Sequence, residues 1–299
     1  MTVAARTLAL PTGQRARAAL LLCAIVGASL LLIVASARWS TPTDEFAYWL
    51  AAKRLATGLP LYEASAIPGT PYAYFYPPPL AQVLAPFSSA IPDVVFVAGW
   101  TTLLLACLWW MSGCNVYVAL ALVAFVPVSV ELWSRNVHLV LAVLIVLGLR
   151  RHPFFFAVAT AIKMTPVLGL AYFAARGRYR DALATGTFGL VLFLASLLIS
   201  PAAWQQFVTV VAGSAGTVGA SIAPIPFPVR AAAGLALALA AGRLRPRLGE
   251  PILVAAIVIA NPTFWVTAMS MLVAIVPLLR WPAPDVPRSG PAQCAEGSS

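Results

Sequence analysis

Once the arginines that cluster in short polar stretches are set aside, the ionisable side chains whose types and spacing could do chemistry are Asp44, Glu45, Lys53, Arg54, Glu131, Arg135, His138 and Lys163. The acids at Asp44 and Glu45 open the run "DEFAYWLAAKRL". A carboxylate there could act as a general base toward a hydroxyl. The same stretch reads as a helix start, with Thr41 as N-cap, Pro42 at the first helical position and an acid at the third. Negative charge also suits a helix N-terminus. The two readings are compatible, because a capped helix start is a rigid mount for a base. Tyr48 falls on the face of Asp44, whereas Glu45, Trp49 and Lys53 share the neighbouring stripe. That stripe would also suit an interfacial helix with its aromatics at headgroup level, and Glu45 is expected on a solvated face.

A second group lies in "ELWSRNVH", residues 131–138. Glu131 and Arg135 are four apart and are expected to pair along a helix. Arg135 and His138 could contact a phosphate, the arginine through its planar fork of donors. In "AIKMTP", residues 161–166, Lys163 is a cation inside an apolar segment. It either snorkels to the interface or meets a phosphate at the tip of a broken helix. "PYAYFYPPPLAQVLAPF", residues 71–87, alternates aromatics and then places three prolines in a row. Proline fixes φ and removes a donor, so a stiff loop should lead into a short helix there. The loop is either a structural corner or an aromatic wall for a sugar or lipid chain. Glu45, Tyr48, Tyr74, Tyr76 and Asn136 are the candidate substrate-lining residues.

The elements that position these groups are set by lipid. Hydrophobic residues make up 61% of the 299 and charged residues 9%, against about 25% charged in soluble chains, and the mean hydropathy is +0.90. This is the composition of an integral membrane protein. A spanning helix needs about 20 mostly apolar residues. Full-length candidates are 18–38, 93–112, 115–133, 182–200, 228–244 and 263–280; shorter apolar pieces are 137–149, 153–163, 167–175 and 251–260. The expected fold is all-α and polytopic, with about eight to ten transmembrane or half-membrane helices and a helical first outer loop. Half-length pieces at membrane depth require protein or a wet cavity around their freed backbone groups, which points to an internal site.

Basic loops set orientation. Residues 1–17, Arg150-Arg151, "RGRYRD" and "RLRPR" are expected to be cytoplasmic, and 39–92 and 201–227 to be outer loops of a single membrane domain, 18–280. Residues 281–299 form a polar Pro- and Gly-rich cytoplasmic tail, expected to be disordered. Arg151 and Arg176 fall on one side only if 153–175 doubles back. A hairpin bending at Met164-Thr165-Pro166, with Lys163 at its tip, satisfies this; so does a segment 137–149 that fails to cross fully. The site then faces outward from the plasma membrane.

The net charge of +10 reads as basic loops, with no nucleic-acid partner expected. The four cysteines have no metal spacing, and no cofactor or metal site is expected from the motifs. There is no nucleotide-binding glycine pattern, no HExxH and no Ser/His/Asp set. A transferase of this kind would need a donor already in the membrane.

Taken in order, Asp44, Tyr48, Trp49, Gly58, Pro60, Leu61 and Tyr62, then "FYPPPLAQVLAPF", "RNVHLVLAVLIVLGLR", "AIKMTPVLGLAYFAARGRYRDAL" and "SMLVAIVPLLR", resemble glycosyltransferase family 87 over roughly residues 18–280. These are polyprenol-phosphate-mannose-dependent mannosyltransferases of the GT-C fold, typical of actinobacteria. The resemblance implies that Asp44 is the essential first-outer-loop acid, with Glu45 as fallback. It implies a polyprenyl-monophosphate hexose donor, a glycolipid or envelope-glycan acceptor, and membrane lipids as surroundings. It also implies an inverting single displacement, with Lys163, Arg135 or His138 stabilising the leaving phosphate. The family usually has glycine where this chain has Arg135. Two rival readings are a transporter or flippase of a lipid-linked substrate, which needs no outer-loop acid, and a catalytically silent scaffold, whose polar set would tolerate substitution.

Overall fold

The computed structural model describes residues 44–63, 73–214, 225–262 and 264–281. The expected first span 18–38, the Thr41-Pro42 cap, residues 1–17 and all of the tail beyond Trp281 lie outside the described residues. Thirteen α-helices and two 3₁₀ segments run through the described residues, with no strand among them. The protein is an all-α polytopic membrane protein.

The segment expected to be the first outer loop contains two helices: α1 (Asp44–Ala56) and α2 (Pro78–Ser88), which starts on the proline run. Next come α3 (Asp93–Met111) and a pair, α4 (Val116–Ala124) and α5 (Val126–Ser134). The stretch 115–133 was expected to be one span, but these two helices meet at 86°. Pro127 explains the break: it has no N–H for the carbonyl of Val123, four residues back. The Ser129 hydroxyl donates to that carbonyl instead. By length and composition α3 and α9 (Tyr179–Ile199) can each cross a membrane, and the bent pair counts as a third crossing if taken as one span.

Between these lie α6 (His138–Arg150), α7 (Phe154–Ile162) and α8 (Leu168–Ala175). At 1.5 Å per residue, the 13 residues of α6 rise ~20 Å, short of the ~30 Å hydrocarbon core. Lys163 ends α7 in extended backbone (φ −148°, ψ 129°), and a 3₁₀ turn, Thr165–Val167, leads into α8. The two short helices lie against each other as a hairpin: Phe156 of α7 packs on Phe173 of α8, ring centroids 5.4 Å apart. Gly148 of α6 and Gly169 of α8 clasp the Phe156 ring, so close that an added Cβ would come within 2.4 and 2.5 Å of it. The chain therefore doubles back at Lys163, one of the two arrangements that the basic loops allowed, and α6 is also as short as the other would have it.

Those basic loops do gather at one end. Arg150 makes a bidentate pair with Glu250 (2.7 and 2.5 Å) and donates to the carbonyls of Leu278 and Trp281. Arg176 donates to Leu244 and Arg280 to Ser112. The rest of the bundle is α11 (Phe227–Arg243) against α12 (Pro246–Ile259). Their seam uses small residues so that backbones can approach, as membrane helices do: a Cβ on Gly234 would meet the Ala260 methyl at 2.7 Å. Two expectations change. Part of the loop 201–227 is helix α10 (Pro201–Ser214). The stretch 263–280 contains a 3₁₀ segment, Val266–Ala274, before α13 (Ile275–Arg280).

Gly169→Ala or Gly148→Ala should push the Phe156 ring out of its slot. Overpacking of this kind costs about 1–3 kcal/mol, and a lowered thermal midpoint of the purified protein would register it. An unchanged midpoint for both would show that the hairpin does not rely on this contact.

Candidate functional site

The tip of the hairpin, the α5–α6 corner and the start of α1 converge on one polar cluster, far along the bundle from the basic end. Its geometry begins at Arg135. This residue ends α5 in the left-handed conformation (φ 53°, ψ 42°), which costs a non-glycine residue roughly 1–2 kcal/mol. The turn breaks the helix before Arg135 can lie beside Glu131. The expected Glu131–Arg135 pair is therefore absent, and each goes elsewhere. Arg135 Nη1 lies 3.1 Å from Glu45 Oε1, and its carbonyl accepts from the Trp100 indole at 2.8 Å. Glu45 is fully buried, which corrects its expected placement on a solvated face. Of its stripe partners, Trp49 is buried, donating to Asp93 at 2.7 Å and stacking on Phe96, while Lys53 pairs with the same Asp93 at an exposed edge. The stripe lies along the contact between α1 and α3.

Past the turn, Asn136 binds three segments together. Its Nδ2 donates to Asp44 Oδ2 at 2.5 Å. Its Oδ1 accepts from Tyr76 at 3.0 Å and from the Val137 N–H at 2.7 Å. The Tyr48 hydroxyl lies 3.1 Å from both Asn136 Oδ1 and the Tyr76 hydroxyl. The amide orientation follows from chemistry, since an ionised carboxylate can only accept. Asp44 is half-buried at the α1 N-terminus. Burial raises its pKa above the ordinary 3.8, opposed by the Asn136 hydrogen bond, the nearby Lys163 charge and a Ser134 hydrogen bond. Burial likewise raises the Tyr48 and Tyr76 hydroxyls, and the Asp44 charge adds to both. They remain donors.

On the far side of this cluster Glu131 Oε1 accepts the N–H groups of His138 (2.6 Å) and Leu139 (3.3 Å), and Oε2 lies 3.0 Å from His138 Nδ1. His138 Nε2 is 2.7 Å from Lys163 Nζ. The Lys163 ammonium lies over the Tyr76 ring, 5.4 Å from its centroid. Asp44, Tyr48, Tyr76, Asn136, His138 and Lys163 are thus one connected group. Tyr74 stands apart: its hydroxyl donates to Pro77 at 2.8 Å and accepts from Ala81 N–H, bracing the start of α2. Sequence reasoning missed Ser134 and the role of Glu131. The seven-residue spacing from Glu131 to His138, across a helix break, was the available signal.

Arg135→Gly should relieve the left-handed strain yet remove the guanidinium facing buried Glu45. Loss of one partner of a buried pair outweighs the strain, by up to ~3–5 kcal/mol, so the thermal midpoint should fall. Adding Glu45→Gln should bring it back up; a double variant no more stable than the single would assign the loss to something other than the pair.

Comparison with known proteins bears on what this cluster does. No curated protein and no solved structure matches the chain. The profile of glycosyltransferase family 87 matches residues 74–288, a stretch holding Tyr76, Glu131, Asn136, His138 and Lys163, while α1 with Asp44 precedes it. That match covers well over half of the chain, and the chain belongs to glycosyltransferase family 87, a family of membrane glycosyltransferases.

Proposed function

We propose that the protein transfers a hexose, mannose by the family resemblance, from a polyprenyl monophosphate to a hydroxyl of a glycolipid or cell-envelope glycan. The donor enters from the lipid, and the site faces the outer side of the plasma membrane, opposite the arginine-rich end, with both termini cytoplasmic. The observation that carries the reading is the presence of Asp44 and Lys163 in one polar cluster: a carboxylate held by Asn136, within the electrostatic reach of a cation at the tip of a broken helix.

In this mechanism Asp44 takes the acceptor's hydroxyl proton as that oxygen bonds to the anomeric carbon. The bond from that carbon to the phosphate oxygen breaks, and its electron pair leaves on the phosphate. The phosphodiester monoanion becomes a phosphomonoester dianion, and the Lys163 ammonium stabilises the added charge. One displacement inverts the anomeric centre and needs a single base, unlike two-carboxylate hydrolysis. Arg135 faces Glu45, so Lys163 is the cation best placed for the phosphate. Tyr48, Tyr76 and Asn136 orient Asp44 and line the approach.

Membranes holding the protein, given labelled polyprenyl-phosphate-mannose and a panel of glycolipid acceptors, test this directly. Asp44→Asn should lower transfer by about 10²–10⁴-fold, the usual worth of a general base. It should also fold at least as stably, because it sheds a half-buried charge. Full activity in Asp44→Asn would remove the base assignment, and donor movement across vesicles without transfer would favour a transporter.

The pH dependence follows from the raised pKa of Asp44. A base works only when ionised, so transfer should fall as pH drops through that raised value. The acid limb of kcat/KM should therefore lie above the ordinary aspartate range, and a limb near 3.8 would contradict the burial of Asp44.

A further inference from the structure

Glu131 is a fully buried acid beside the site, and the transfer chemistry does not use it. One of its oxygens accepts the N–H groups of His138 and Leu139 at the start of α6. An ammonium has only hydrogens to give, and Lys163 Nζ lies 2.7 Å from His138 Nε2, so Nε2 keeps its lone pair and Nδ1 carries the ring hydrogen. That hydrogen faces Glu131 Oε2 at 3.0 Å, the acceptor this tautomer requires, and a helix N-terminus favours negative charge there. One of the three ammonium hydrogens is taken by the ring. Two are left for acceptors on the side of Tyr76 and Asp44.

The ammonium sits on a flexible four-carbon stem, and Lys163 itself lies in extended backbone just past the end of α7. Neither feature fixes where the charge goes. A carboxylate placed directly against it would fix it, but would also compete with a phosphate through charge–charge attraction. A neutral imidazole holds the ammonium without that competition.

We propose that Glu131 and His138 are a positioning pair for Lys163: the carboxylate sets the imidazole tautomer, and the imidazole aims the ammonium at the donor's phosphate without touching the phosphate itself. This rests on the lipid-phosphate reading above. During transfer Asp44 gains a proton and loses its negative charge, while the departing phosphate gains a negative charge. An ammonium tethered to a neutral ring stays in place as the nearby negative charge moves from the first group to the second.

The test is binding of undecaprenyl monophosphate to the full chain in phosphatidylcholine nanodiscs. Lys163→Ala should weaken binding by roughly tenfold or more, the worth of one charge-assisted hydrogen bond. Glu131→Gln should weaken it severalfold alone and have no further effect in a Lys163→Ala background, since a residue acting through another loses its effect when that one is gone. His138→Asn leaves Glu131 its backbone bonds and should behave the same way, which covers a Glu131 variant that fails to fold. Equal, additive losses in both backgrounds would reduce the pair to a structural role and overturn the proposal, as would unchanged binding in Lys163→Ala. Coupled binding effects in a protein that transfers no sugar would instead remove the glycosyl-donor reading and leave the positioning pair standing.

Discussion

The left-handed turn at Arg135 determines where every polar group of the site can go. It ends α5 and releases Asn136 to cross-link the start of α1, the aromatic loop before α2 and the α6 terminus. It also starts a new helix at His138, whose first N–H groups need an acceptor. Glu131 supplies that acceptor. Had α5 continued, Glu131 would lie beside Arg135, and His138 would have no carboxylate partner. A glycine adopts this conformation without steric penalty, consistent with the glycine the family usually places here. In this chain an arginine occupies the turn, and its ion pair with Glu45 offsets part of the backbone strain.

The hairpin supports the site from below. Lys163 can stand at a chain reversal within the bundle because one phenyl ring of α7 fits between a glycine of α6 and a glycine of α8. Close packing of small residues substitutes for the hydrophobic effect, which does not operate between helices in lipid. The polar tip therefore depends on apolar contacts a full turn or more away.

Much of this was legible in the sequence, for physical reasons that differ by residue. Lipid forces polar residues to announce themselves, so Asp44, Lys163 and the "RNVH" group stood out against an apolar background. Charge narrowed the path near Lys163 to two, a doubling back of 153–175 or an incomplete crossing by 137–149, because the arginines on both sides were expected to share a side. Partner choice was not legible. The Glu131–Arg135 spacing assumes a continuous helix, and a single positive φ undoes it. Glu45 was expected outside because acids usually are; its burial depends on an arginine ninety residues away in sequence, which no local pattern reveals. The bend between α4 and α5 was written at Pro127, yet apolar length outweighed that one residue in the reading of a straight span.

The shortness of α6 and α7 has a consequence for the surrounding bilayer. Both rise from the arginine-rich end and stop near His138 and Lys163, well before a hydrocarbon slab of ordinary thickness would end. If the donor is the lipid phosphate proposed above, its head would have to sink below those of its neighbours to reach Lys163. A single flexible prenyl chain would accommodate this more readily than two tails held in register with the leaflet, so depth itself would filter the lipids that reach the ammonium.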